Sequence, residues 1–126
     1  MALSHAAPGQ VVDLLGSTVP SAQTLALFKS SELEVMRLIL PAGKVVPSHQ
    51  VAGEITVQCL EGSLEFTAEG RTQLMRAGQL LHLSGGAQHS LVALEDASAL
   101  VTIALHKQRI NSPTNPAIGA RARRRT

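Results

Sequence analysis

Aromatic side chains are nearly missing from this chain: two Phe, no Tyr and no Trp among 126 residues. That excludes an aromatic platform of the kind that stacks sugars or bases. Leu, Val, Ile and Ala must therefore build the core. Cysteine occurs once, as Cys59, which excludes an intrachain disulfide and fits a reducing compartment. Long apolar runs are missing as well. No stretch nears the roughly 18 residues needed to span a membrane, and no basic segment followed by an apolar run marks a signal peptide. The expectation is a cytoplasmic protein with no membrane partner. No glycine-rich loop opens a helix, so nucleotide binding has no support. No glycine-flanked serine elbow is present. The acidic residues are scattered, with no paired carboxylates on one face.

Charge is present but uneven. The sequence pI of about 9.2 comes from Arg121, Arg123, Arg124 and Arg125. Residues 1–110 carry seven basic and nine acidic side chains, a net of −2. A basic tail on a mildly acidic body is not the footprint of a nucleic-acid-binding domain. The arginines read as a solvated tail, so nucleic acid is not an expected partner. Residues 1–10 and 111–126 are small, polar or proline-bearing and bury too little apolar surface to offset ordering. They read as flexible segments around one domain over residues 11–110.

Between these ends the chain is a series of short apolar runs cut by turn residues. The runs are Val11–Leu15, Thr24–Phe28, Leu33–Leu40, Ile55–Leu60, Leu64–Thr67, Gln73–Arg76, Leu80–Leu83, His89–Leu94 and Ala99–Leu105. β-Branched residues are frequent in them, and no helical period of adequate length appears. Short strands with a turn signal every eight to twelve residues or so indicate an all-β sandwich or barrel. Leu38-Ile39-Leu40 and Leu100–Leu105 are apolar on both faces. Their outer face needs a cover, so a homodimer is expected.

Two segments carry a recognisable pattern, from Pro41 to Gly62 and from Gly78 to His89. They resemble the two motifs of the cupin superfamily, whose members are small jelly-roll (RmlC-like) β-barrels. The resemblance spans about residues 33–105. The first family motif is a glycine, five residues, a histidine, one residue, a second histidine, three or four residues, a glutamate, six residues and a glycine. Gly43, His49 and Gly62 fit. Val51 stands at the second histidine and Ile55 at the glutamate. In the second motif Gly78, Gly86 and His89 fit, Ser84 replaces a proline and Ala93 replaces an asparagine. The resemblance thus implies a single-domain cupin-like barrel with a damaged metal-ligand set.

Alternation puts His49 with Val51, then Ile55 with Val57 and Cys59, then His89 with Leu91 and Ala93. In a cupin-like barrel these faces point inward. The expected ligand pocket is therefore His49, Val51, Ile55, Val57, Cys59, His89 and Leu91. Iron, manganese or zinc centres of this kind use three protein ligands or more, and His49 and His89 supply two. Glu54 is the candidate third, but a one-residue offset turns it to the opposite face unless a bulge at Ala52-Gly53 re-aims it. His82 reads as outward, His5 and His106 as bystanders, and Cys59 as a small buried hydrophobe.

Three readings follow. One is a binding module for a small-molecule ligand in a largely apolar pocket around His49 and His89. The second is a metal-dependent cupin enzyme (dioxygenase, isomerase or decarboxylase type) holding a divalent Fe, Mn, Ni or Zn through an incomplete ligand set. The third is a structural protein with a vestigial pocket.

Overall fold

The computed structural model describes residues 5–15 and 22–105. His106 and the arginine-rich tail lie outside the described residues. Nine strands are present there: β1 Gln23–Lys29, β2 Leu33–Leu40, β3 Val45–His49, β4 Ile55–Glu61, β5 Ser63–Ala68, β6 Arg71–Arg76, β7 Leu80–Leu83, β8 His89–Ala93 and β9 Ala97–Ala104. They form a five-stranded sheet in the order β1-β2-β9-β4-β7 and a four-stranded sheet in the order β3-β8-β5-β6. Every pairing is antiparallel. The result is the all-β jelly roll that the run-and-turn pattern predicts. No helix among the described residues is long and apolar enough to cross a membrane.

Two runs behave differently from their pattern. Val11–Leu15 forms no strand. Conversely, Val45–His49 is a strand although its composition hides it. Pro47 cannot donate to a ladder, and it is tolerated because β3 is the edge of its sheet.

Alternation decides what is buried. Ile55, Val57 and Cys59 on β4, Leu64 and Phe66 on β5, Leu91 and Ala93 on β8, and Ala97, Ala99 and Val101 on β9 all face inward. The outer face of β2 and β9 holds a polar cluster. Arg37, only 4% exposed, donates from Nη2 to Glu61 Oε1 at 3.3 Å, and Ser98 Oγ donates to the same oxygen at 2.7 Å.

At Gly62 the β4–β5 turn demands glycine twice over. Its φ is +73°, and a Cβ there would strike the Asp96 carbonyl oxygen and Ala97. Gly78 has φ +94° but open space around it. Gly78→Ala should therefore cost only the left-handed strain, about 1–2 kcal/mol. Gly62→Ala should cost clearly more, because backbone must also move. Urea denaturation of the two variants checks this, and equal losses would contradict it.

Cys59 is completely buried among these inward side chains. Burial pushes its thiol pKa up from the ordinary value, and the charges of Glu95 and Glu61 add to the rise. The folded state then keeps the thiol proton where the unfolded chain loses it. That contribution to stability is full below about pH 8.5 and declines above it. Native protein should resist a thiol-specific disulfide reagent and react on unfolding, and Cys59→Ala should flatten the alkaline decline. Fast native labelling or unchanged alkaline slopes would show the burial to be wrong.

Candidate functional site

A cavity of about 460 Å³ lies between the two sheets. The five-stranded sheet gives it Met36 and Leu38 from β2, Ile55 and Val57 from β4, and Val101 and Ile103 from β9. The four-stranded sheet gives Val46 and His49 from β3, Phe66 from β5, and His89 and Leu91 from β8. Val51 closes the side from the β3–β4 loop. It is held there by the β7–β8 turn, where Gly86 N donates to the Val51 carbonyl at 2.8 Å. Gly85 lies so close to the Ala52 carbonyl that a Cβ would collide with it, so this docking of turn on loop needs glycine.

His49 reaches the cavity through a β-bulge. Val46 pairs with Leu91 and His49 pairs with His89, so three steps on β3 match two on β8. Strict alternation from Val46 would send Ser48 inward and His49 outward. The extra residue at Pro47-Ser48 reverses that and puts His49 directly across from His89. The ring centroids are 4.3 Å apart, tilted by 59°. On its other side His89 stacks on Phe66, with centroids 5.7 Å apart and planes within 7°. His89 is buried, whereas His49 is exposed at the rim.

Hydrogen bonds fix the tautomers. His49 Nδ1 lies 3.0 Å from the Pro47 carbonyl, and His89 Nδ1 lies 3.0 Å from the Ala87 carbonyl. A carbonyl only accepts, so each Nδ1 carries the proton and donates it. In its neutral form each ring then offers Nε2 as a lone pair. The site presents two acceptors side by side at one end of an apolar chamber.

Most of the residues expected at the pocket are there: His49, Val51, Ile55, Val57, His89 and Leu91. Cys59 is not. It points inward as alternation requires, but one inward position beyond Val57, about 7 Å further along β4. There the space is closed by Leu64, Ala93 and Ala99. Glu54 is also elsewhere. Its Oε1 pairs with His82 Nε2 at 2.8 Å, with both side chains exposed. The bulge that matters lies at Pro47-Ser48, not at Ala52-Gly53, so nothing re-aims Glu54. Phe66, Met36, Val101 and Ile103 were legible as inward residues from alternation, whereas Val46 was not, because the bulge breaks the period between it and His49. Lys44, which also lines the cavity, follows a turn glycine and carries no such signal.

The donor set does not fit a three-ligand metal centre. Two imidazoles are offered, and the neighbouring positions hold the hydrocarbon of Val51 and Ile55. Among the described residues no group of three His, Cys, Asp or Glu could hold a metal ion. Among the described residues no carboxylate lines the cavity.

Residues 36–105 match the Cupin domain family. A conserved protein of unknown function from Streptococcus pyogenes is similar in structure, with a TM-score of 0.70 at 22% identity, over 86% of this chain and 97% of that one. A cupin superfamily protein from Desulfitobacterium hafniense gives 0.70 at 13% identity, over 84% and 100%. An RmlC-like cupin with a double-stranded β-helix fold from Methanocaldococcus jannaschii gives 0.69 at 14% identity, over 85% and 100%. At these identities the likeness establishes the fold alone. No curated protein matches the chain. Matched over more than half its length, the chain belongs to the Cupin domain family.

Proposed function

We propose that this cupin binds a small, largely apolar molecule between its sheets, with a polar group of that molecule on the Nε2 atoms of His49 and His89. The observation that carries the reading is the cavity of about 460 Å³ itself. Its size is ordinary for a small-molecule site, and a few placed polar groups among apolar walls is the usual composition of one. A pocket freed from function would tend to fill with larger apolar side chains, since each Å² of apolar wall left uncovered forgoes about 25 cal/mol. That weighs against a vestigial pocket. The metal-dependent reading loses support because its third ligand is hydrocarbon.

A homodimer belongs to the same reading. Leu33, Leu74 and Leu80 are exposed, and a second copy covering such side chains is what sedimentation would detect. The lone buried thiol is compatible with a reducing, cytoplasmic setting.

Two experiments test the reading. The neutral fluorophore N-phenyl-1-naphthylamine should bind saturably at one site per chain. Ile103→Trp, which puts an indole into the empty space, should weaken that binding about tenfold or more (about 1.4 kcal/mol) with the fold intact by circular dichroism. No saturable binding, or binding indifferent to the filled cavity, would contradict the proposal. The second concerns the metal. After incubation with Fe, Mn, Ni or Zn salts and dialysis, the native chain should retain none stoichiometrically. The double variant Val51→His, Ile55→Glu should retain about one equivalent, because it raises the protein donors from two to four. A native chain that already holds an equivalent would show that two imidazoles suffice.

A further inference from the structure

The cavity has a second polar end. Lys44 lines it, together with Gln23 and Thr24 at the start of β1. Along the β3–β8 pair, Ala93 N donates to the Lys44 carbonyl, whereas His49 lies opposite His89. Four residues of β8 separate Ala93 from His89, about 13 Å of strand. The histidines and the lysine therefore stand at opposite ends of one chamber. The wall between them is Val46, Leu91, Val57 and Phe66.

The two ends ask for different chemistry. At the histidine end both Nε2 atoms are acceptors, because both Nδ1 protons are spent on carbonyls. A ligand hydroxyl has one proton and donates it to one of the two Nε2 atoms, whereas a carboxylate has none to give and would set its lone pairs against theirs. At the other end Lys44 stands beside two neutral polar side chains, and among the described residues no carboxylate lines the cavity to pair with it. That end favours an anion and rejects an amine. A single lysine without arginine suits a singly charged carboxylate better than a phosphate dianion.

Resting on the proposed small-molecule site, we propose that its ligand class is an elongated hydroxy acid: a hydroxyl donating to one Nε2 of the His49–His89 pair, a carboxylate on Lys44 and an apolar chain between. Three backbone bonds of an extended chain span about 3.5 Å, so a chain of about eleven bonds is long enough to bridge strand positions about 13 Å apart, with slack for the side chains and hydrogen bonds at its ends. 10-Hydroxydecanoate has that length.

The test is displacement of N-phenyl-1-naphthylamine by 10-hydroxydecanoate, decanoate, decan-1-ol and decylamine. 10-Hydroxydecanoate should bind tightest. Decanoate and decan-1-ol should each be weaker by about three- to tenfold, the range of one net hydrogen bond. Decylamine, which can engage the histidine end only, should likewise be weaker than 10-hydroxydecanoate. Lys44→Met should erase the preference of 10-hydroxydecanoate over a diol of the same length, decane-1,10-diol. His49→Leu should erase its preference over decanoate. Both positions are exposed at the rim, so both variants keep the fold. If the fluorophore binds but the four ligands displace it equally, or the variants leave the preferences unchanged, this inference is overturned while the small-molecule site stands. If neither the fluorophore nor any ten-carbon ligand binds, both are overturned.

Discussion

One extra residue on β3 governs the chemistry of this molecule. The bulge at Pro47-Ser48 inverts the alternation of the edge strand, so that Val46 and His49 both face the interior. Without it, a serine would meet the cavity and His49 would stand in solvent. With it, two imidazoles become a cross-strand pair, and their backbone partners at Pro47 and Ala87 set both tautomers the same way. Proline at the bulge is apt. It removes an N–H from a place where the ladder is already broken, on a strand whose outer edge needs no partner.

The same inward faces do two jobs along their length. Toward Cys59, Leu64, Ala93 and Ala99 they close into a solid core of small and branched side chains. Toward Ile55, Val57, Phe66 and Leu91 they stay apart and enclose a chamber. A polar group in such a chamber must find a partner or pay about 1–3 kcal/mol. His89 meets that condition at Nδ1 and leaves Nε2 for whatever enters. Hydrocarbon at Val51 and Ile55 avoids the cost altogether. The site is thereby limited to few polar atoms, each with a defined sense of hydrogen bonding.

The architecture was legible because turns and alternation are local signals. Gly43, Gly62, Gly70 and Gly78 all adopt the positive φ that their place after an apolar run suggests. Ile55, Val57 and Leu91 follow from period two, as does the outward His82, whereas Val51 reaches the cavity from a loop to which no strand period applies. What was not legible depends on register. Strand β3 escaped the run pattern because Pro47 and Ser48 interrupt it. The bulge there cannot be seen without its partner β8. The end of the chamber short of Cys59 is set by Leu64 and Ala99, which come from other strands. Lys44 is an exposed residue after a turn, and only the fold shows that it borders the same space as the histidines.

The central claim is that His49 and His89 present paired Nε2 acceptors to an apolar chamber. Long-range ¹H–¹⁵N correlation of the imidazoles tests it most directly, at about pH 8, above the ordinary imidazole range. The account predicts the Nδ1–H tautomer in both rings, with both Nε2 nitrogens unprotonated and unaffected by a chelator. An Nε2–H tautomer in either ring, or an Nε2 signal that moves when a chelator strips bound metal, would contradict it.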